Sequence, residues 1–308
     1  MKKNIELYEE NFKSFFQNLK EKDFENAKCI FCRKPSSEYE IFTKDSMRVV
    51  RCECGFIYNS RQPNQISLGK FYKTSDAMKA WSVHKTTPEQ INKQTEKFEL
   101  AASILEKKVD SVLDLGCGTG FFLSLLSEKI KKIGVDTHEE SLHIAKRNGV
   151  EVILGDIYTL NEFPDNSFGA ITLWGVLEHI KNPIEILRQV RVKLKPGGFV
   201  VICVPNVDSS IVRRFWKDCF TFCPQHLWYF SFNTLQLALR RTGFKFYDSY
   251  SIEPEERPVI KGMHGLHPYA EIPSYLEKQI MIPELIDKLK KNILMANQGY
   301  KIVTLARK

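Results

Sequence analysis

The sequence predicts an α/β fold in which a seven-stranded, mostly parallel sheet is flanked by helices and preceded by a small cysteine-bearing module. Three observations predict it. From residue 109 onward, apolar runs of strand length alternate with segments of helix length. A glycine-rich loop follows the first of those runs directly. Hydrophobic residues make up 43% of the 308 positions, enough to fill a substantial core.

Taken in order, strands are expected at 109–115, 131–136, 150–155, 168–174, 198–204, 244–252 and 300–307. Helices are expected at 119–130, 138–148, 183–194 and 232–242, the last closed by Gly243. Strands separated by helix-length segments imply parallel pairing with right-handed crossovers. Ahead of this region, Pro88 opens a helix that places Phe98, Ala101, Ala102 and Leu105 on one face. Near the N-terminus, Ile5, Tyr8, Phe12, Phe15, Phe16 and Leu19 recur at helical spacing. That pattern is an amphipathic helix expected to pack on the body of the protein, not a signal peptide. Four segments follow: a helix at 1–25, a metal-binding module at 26–66, a helical linker or lid at 67–108, and the main domain at 109–308. The main domain carries an insertion at 253–298, in which Pro283 is expected to open a helix.

Composition bounds the function. The net charge of +8, from 45 basic and 37 acidic residues, is spread along the chain rather than gathered in runs. Such a balance fits a solvated surface and permits an anionic acceptor. No run approaches the roughly 20 apolar residues of a membrane-spanning helix. Eight cysteines without a secretion signal point to a cytoplasmic thiol protein rather than a disulfide framework.

The loop reads DLGCGTG, Asp114 to Gly120, with Cys117 at its centre. Glycines 116, 118 and 120 let the backbone turn tightly and approach a ligand without Cβ obstruction. A dinucleotide fingerprint would need its last glycine at position 121, which is Phe121, and a P-loop would need a Lys-Ser/Thr pair. Neither is present. The second strand ends on Asp136, 22 residues after Asp114, where a carboxylate can accept both hydroxyls of a ribose. The third strand ends on Asp156.

The pattern [DE]xGxGxG resembles motif I of class I S-adenosylmethionine-dependent methyltransferases, which have a Rossmann-like sheet. The resemblance runs motif by motif over about 109–250 and returns at the last strand. It implies that the glycine loop lies against the methionine part of the cofactor and that Asp114 orients its amino group. It also implies that Asp156 takes the adenine amino group, with Ile157 against the ring. The segment AITLWGVLEHI, 170–180, is similar to motif IV of the small-molecule members, which would set Trp174 against cofactor or acceptor. His179 is then either an acceptor-side polar group or, with Glu178, a cap for the next helix and a brace for the sheet. LKPGG, ending at Gly198, resembles a structural turn of the family. The segment running from His226 to Ser231 resembles the family's HLxxFS. His226 has a near-neutral ordinary pKa and is a candidate to deprotonate an acceptor hydroxyl, or else a support for the aromatic cluster after it.

Cys29-x-x-Cys32 and Cys52-x-Cys54-Gly55 form two close pairs 19 residues apart. Four thiolates so grouped suit structural, tetrahedral zinc, and Gly55 lets backbone N–H groups approach the sulfurs. The text that follows, GFIYNSRQP, resembles bacterial methyltransferases with an N-terminal zinc module, some of which act on nucleotide-linked sugars or saccharides. The expected activity is methyl transfer to a small-molecule or saccharide acceptor on oxygen. An RNA methyltransferase gripping nucleic acid with its zinc module, and a non-catalytic cofactor-binding protein, are the alternatives. The charges of 26–66 are too balanced for a clear nucleic-acid face. The glycine loop is expected in a core separate from the cysteine module.

Overall fold

A computed structural model describes residues 2–33, 38–252 and 299–308. The helix expected at Pro283 and the whole insertion at 253–298 lie outside the described residues.

Helix α1 (Lys2–Gln17) leads to β1 (Phe24–Asn26), β2 (Glu38–Lys44), β3 (Met47–Cys52), β4 (Ile57–Asn59) and β5 (Arg61–Pro63). Helices α2 (Gln65–Thr74), α3 (Asp76–Lys85) and α4 (Pro88–Glu106) follow. The main domain then runs β6 (Ser111–Leu115), α5 (Phe121–Ser124), β7 (Lys131–Asp136), α6 (Glu139–Arg147), β8 (Glu151–Leu154), β9 (Phe168–Trp174), α7 (Pro183–Lys193) and β10 (Leu194–Pro205). It ends with α8 (Ser210–Phe215), β11 (Trp228–Tyr229), α9 (Phe232–Arg241), β12 (Lys245–Ile252) and β13 (Lys301–Arg307).

The expected seven-stranded sheet forms, in the order β12-β13-β10-β9-β6-β7-β8. Only β13 runs against its neighbours, pairing antiparallel with β10 and β12, while the other pairs are parallel. Strand order reverses between β6 and β9. A crevice therefore opens at their carboxyl ends, the usual ligand position in an open α/β sheet.

The expected helix at 119–130 is much shorter, covering Phe121–Ser124. The Glu106 side chain accepts hydrogen bonds from the Ser127 backbone N–H and, at 3.0 Å, from its hydroxyl, holding the chain in a turn. Few residues then remain before the chain must enter β7. Strand β10 starts earlier than expected, at Leu194, and takes in the LKPGG turn with a register shift between Leu194 and Phe199. Gly197 there adopts φ +75°.

Helix α1 lies on α2 and α3. Tyr8 sits 5.1 Å from Trp81, and Phe12, Phe15 and Phe16 surround Phe71. Two side-chain caps start the helices beneath: Asn64 accepts from the Ser67 N–H at 2.9 Å, and Ser75 from the Met78 N–H at 3.2 Å.

The cysteine segment does not form a core of its own. Its sheet, β11-β4-β3-β2, takes one strand from the main domain, Trp228 pairing with Tyr58 and Tyr229 with Ile57. Cys29, Cys52, Phe56 and Tyr58 are buried in one continuous cluster with Leu113 and Leu115 of β6. The strand feeding the glycine loop thus shares a core with the cysteine module, against the expectation of separation. The cause is the aromatic run of the module, which packs on Trp228 and Phe230. No helix among the described residues is long and apolar enough to cross a membrane.

Candidate functional site

A cleft of about 1010 Å³ opens at the sheet's switch point. One end is built by the loops after β6, β7 and β8, the other by the loop after β9 and the segment before β11.

Gly116, Gly118 and Gly120 all have positive φ, at +75°, +53° and +70°. At Gly116 a Cβ would lie 2.6 Å from Val176, and at Gly120 2.8 Å from Ala145, so close packing excludes a side chain. Around Gly118 there is nothing within 4 Å, and that part of the loop faces open space in the cleft. The Cys117 side chain is buried, packed so closely on Gly134 that a Cβ there would lie 2.6 Å from its Sγ. Its backbone N–H donates to the Val135 carbonyl at 3.0 Å, so Cys117 serves the loop's shape.

Asp114 is buried at the end of β6 and accepts a 2.6 Å hydrogen bond from the Thr172 hydroxyl. Burial pushes its carboxyl up to about 7, with Asp136 adding to the rise, while Thr172 and Lys97 oppose it. Asp136, at the tip of β7, accepts from the Gly118 N–H at 2.8 Å and the His138 N–H at 2.9 Å. These bonds fix its carboxylate beside the glycine loop. Burial raises its pKa, and the two backbone donors work against that rise. Asp156 is exposed and accepts from the Tyr158 N–H at 2.9 Å, starting a 3₁₀ turn in which Ile157 follows. All three acids and Ile157 line the cleft.

Trp174 also lines it, wedged against Phe98 at 4.6 Å and Phe122 at 5.0 Å. Its buried indole N–H has no hydrogen-bond partner among the described residues.

His179 and His226 come together at the other end, their ring centroids 4.9 Å apart. His179 Nδ1 lies 2.8 Å from the Gln225 carbonyl, and His226 Nδ1 lies 2.7 Å from the Thr221 carbonyl. His179 ends a 3₁₀ turn (Leu177–His179) that lines the cleft next to His226, and neither it nor Glu178 caps α7, whose N-cap position is Asn182. Backbone bonds bolt the two segments together, Leu227 N–H to the Glu178 carbonyl at 2.9 Å and the Trp228 indole N–H to the Ile180 carbonyl at 2.7 Å.

Sequence reasoning passed over Lys97, which lines the cleft, and Thr172, which lies buried behind it, and took Glu178 only as a helix cap. Thr172 supports Asp114. Lys97 on α4 reaches over the Phe98 ring at 4.8 Å and the Trp174 ring at 5.6 Å. Glu178 is buried, its pKa is raised by that burial, and its Oε2 has no hydrogen-bond partner among the described residues. The LEH triplet was its only signal.

The four cysteines of the module converge. Cys29 Sγ lies 3.5 Å from Cys54 Sγ, Cys32 Sγ lies 3.0 Å from Cys52 Sγ, and all four sulfurs fall within 4.8 Å of one another. A tetrahedral ion with zinc–sulfur bonds of about 2.3 Å sets sulfurs about 3.8 Å apart, inside that range. Gly55 turns at φ +87°, and its N–H donates to the Cys52 carbonyl at 2.8 Å.

The family model described as a methyltransferase domain matches residues 85–249. An uncharacterized 37.1 kDa protein from a Streptomyces fradiae transposon is 28% identical over 191 residues, covering 59% of this chain and 50% of that protein. A ubiquinone biosynthesis O-methyltransferase of Xanthomonas oryzae is 29% identical over 135 residues, covering 40% of this chain and 52% of the enzyme. The chain thus spans about half the length of these curated relatives. Among solved structures, a chain of a Haloferax volcanii complex containing a methyltransferase activator superposes with a TM-score of 0.50 at 18% identity, over 75% of this chain and 96% of that one. Sheet order, glycine loop and family match agree: the chain belongs to the methyltransferase domain family and has the fold of the class I S-adenosylmethionine-dependent methyltransferases.

Proposed function

We propose that the protein transfers a methyl group from S-adenosylmethionine to a hydroxyl of a small-molecule or saccharide acceptor. One observation carries this reading: a single cleft joins the glycine loop and its acids at one end to the His179–His226 pair at the other. The cofactor supplies an already activated sulfonium methyl, so the protein's work is position and orientation.

At the cofactor end, the Gly116–Gly120 loop lies against the methionine part and Asp114 orients the amino group. Asp136 accepts the ribose hydroxyls and Asp156 the adenine amino group, with Ile157 against the ring. Trp174 closes the methyl-bearing side. At the acceptor end, His179 and His226 hold the reacting hydroxyl, and His226 orients it or takes its proton. The carbon–sulfur bond breaks as the carbon–oxygen bond forms, and the hydroxyl proton leaves to that base or to solvent. The relative named for ubiquinone biosynthesis is an O-methyltransferase, which supports oxygen as the acceptor atom. Cys29, Cys32, Cys52 and Cys54 hold a structural zinc that fixes the module against the main domain.

Two measurements test the proposal. Calorimetry should show binding of S-adenosylmethionine and S-adenosylhomocysteine to the folded protein. Mass spectrometry of cell-extract metabolites incubated with enzyme and methyl-labelled cofactor should show a labelled small hydroxyl compound. Absence of cofactor binding defeats the whole reading. Label found only in RNA or protein defeats the acceptor class.

A further inference from the structure

We infer that Glu178, His179 and His226 form a divalent-cation site at the acceptor end of the cleft, separate from the four-cysteine site. The inference rests on the acceptor-side reading above and deepens it, with His226 holding and orienting the acceptor through the ion and the hydroxyl proton leaving to solvent.

The three side chains come from two segments far apart in sequence, the turn after β9 and the loop before β11. One ligand atom from each lies within 4.8 Å of the other two. The Glu178 Oε1 to His179 Nε2 distance is 3.8 Å. That is too long for a hydrogen bond. Donors bound at about 2.1 Å to one ion stand about 3.0–3.6 Å apart. Small side-chain rotations therefore close the set around an ion.

Both rings are oriented as metal-binding histidines usually are. Each Nδ1 meets a backbone carbonyl, Gln225 at 2.8 Å for His179 and Thr221 at 2.7 Å for His226. An Nδ1–H that donates to a carbonyl leaves the ring's lone pair on Nε2 and fixes the ring plane. Glu178 gives the independent sign. Its side chain is 3% exposed, and its Oε2 has no hydrogen-bond partner among the described residues. A buried carboxylate oxygen left in that state costs free energy that a cation would offset.

Two imidazoles and one carboxylate suit zinc, manganese, iron or cobalt. Three protein ligands leave positions open to the cleft, the pattern of catalytic rather than structural sites. Those positions would take the acceptor's oxygen atoms. The ion would lower the pKa of a bound hydroxyl and orient it toward the methyl group, which makes a chelating pair of neighbouring hydroxyls the acceptor class that fits best.

The test is manganese binding followed by electron paramagnetic resonance, on full-length protein already loaded with zinc. Manganese prefers nitrogen and oxygen donors, so the thiolate site does not compete. Wild type should take up one manganese per chain. Glu178→Gln and His179→Ala should each weaken uptake at least tenfold while keeping S-adenosylhomocysteine affinity within twofold. His226→Ala should do the same, and because His226 is buried the first two variants decide if it fails to fold. No uptake by wild type, or wild-type uptake by Glu178→Gln and His179→Ala, overturns the site. If uptake is absent but a folded His226→Ala still loses turnover, the cation inference falls and the proposed function stands. If uptake behaves as expected while no acceptor is methylated, the cation site stands and the proposed function falls.

Discussion

The two ends of the cleft are built by different means. At the cofactor end the three acids sit at or just beyond strand tips, and backbone N–H groups of the adjoining loops fix two of them: Gly118 and His138 on Asp136, Tyr158 on Asp156. At the acceptor end Glu178 and His179 come from one segment and His226 from another, joined by the Leu227 and Trp228 bonds to the turn after β9. The cofactor end is a property of local backbone geometry. The acceptor end is a property of tertiary packing, and it leans on the cysteine module through β11 and β4. Damage to distant packing should therefore reach the acceptor end first.

The largest effect tests that dependence. Structural zinc sites contribute on the order of 10 kcal/mol to folding in small modules. Cys29→Ser combined with Cys52→Ser should abolish zinc, measured by elemental analysis, and lower the melting temperature sharply. Because Cys29 and Cys52 share a core with Leu113 and Leu115, one cooperative transition should move as a whole. An early, separate transition of the module, with cofactor binding intact, would break the comparison.

Next in size is the acceptor end itself. His226→Ala should lower turnover by about 10²-fold, the scale of a positioned acid–base group. Cofactor affinity, read by calorimetry, should stay nearly constant. Joint loss of both would mean that His226 only braces the fold.

At the cofactor end, Asp136→Ala should weaken S-adenosylhomocysteine by roughly 1.5–3 kcal/mol, the scale of hydrogen bonds involving a charged group. The acceptor end should not notice, so manganese uptake should be unchanged. Wild-type cofactor affinity in this variant would place the ribose elsewhere.

The same contrast explains what the sequence made legible. Positive φ at positions 116, 118 and 120 demands glycine, so the loop's shape is written in its residue types. Strand-end acids are visible because the strands are apolar and short. The shortening of α5 was hidden because it depends on Glu106 catching Ser127 across the fold. Helices α2 and α3 were legible only as part of a helical linker, without bounds, although Asn64 and Ser75 carry ordinary cap signals, because their apolar faces are narrow and mixed with lysines. Strand β11 has two residues and is defined only by its partner β4, so no periodicity could reveal it. Glu178 looked like a helix-capping acid. Only its burial marks it as part of the cleft.

The smallest effect concerns protons at Asp114. Its carboxyl is buried, faces Asp136 from β7, Thr172 from β9 and Lys97 from α4, and titrates at about 7. Because burial raises the folded-state value, the group binds its proton more tightly folded than unfolded. Its contribution therefore favours folding at low pH, and that contribution is lost as pH rises from the ordinary carboxylate range through 7. In the proposed binding mode, cofactor affinity carries the opposite sign, since the ammonium of the methionine part would be held by the ionised carboxylate. Going from pH 6 to pH 8 takes Asp114 from about one-tenth to about nine-tenths ionised, so affinity should rise by up to about tenfold, or about 1.4 kcal/mol. Asp114→Asn keeps an acceptor for the Thr172 hydroxyl and removes the titration. It should flatten this part of the pH profile, weaken S-adenosylhomocysteine at pH 8, and raise the melting temperature of the cofactor-free protein there. Calorimetry and thermal melts at both pH values check all three. A variant as pH-dependent as wild type would show that the proton sits on Asp136 instead, leaving Asp114 to shape the loop through Thr172.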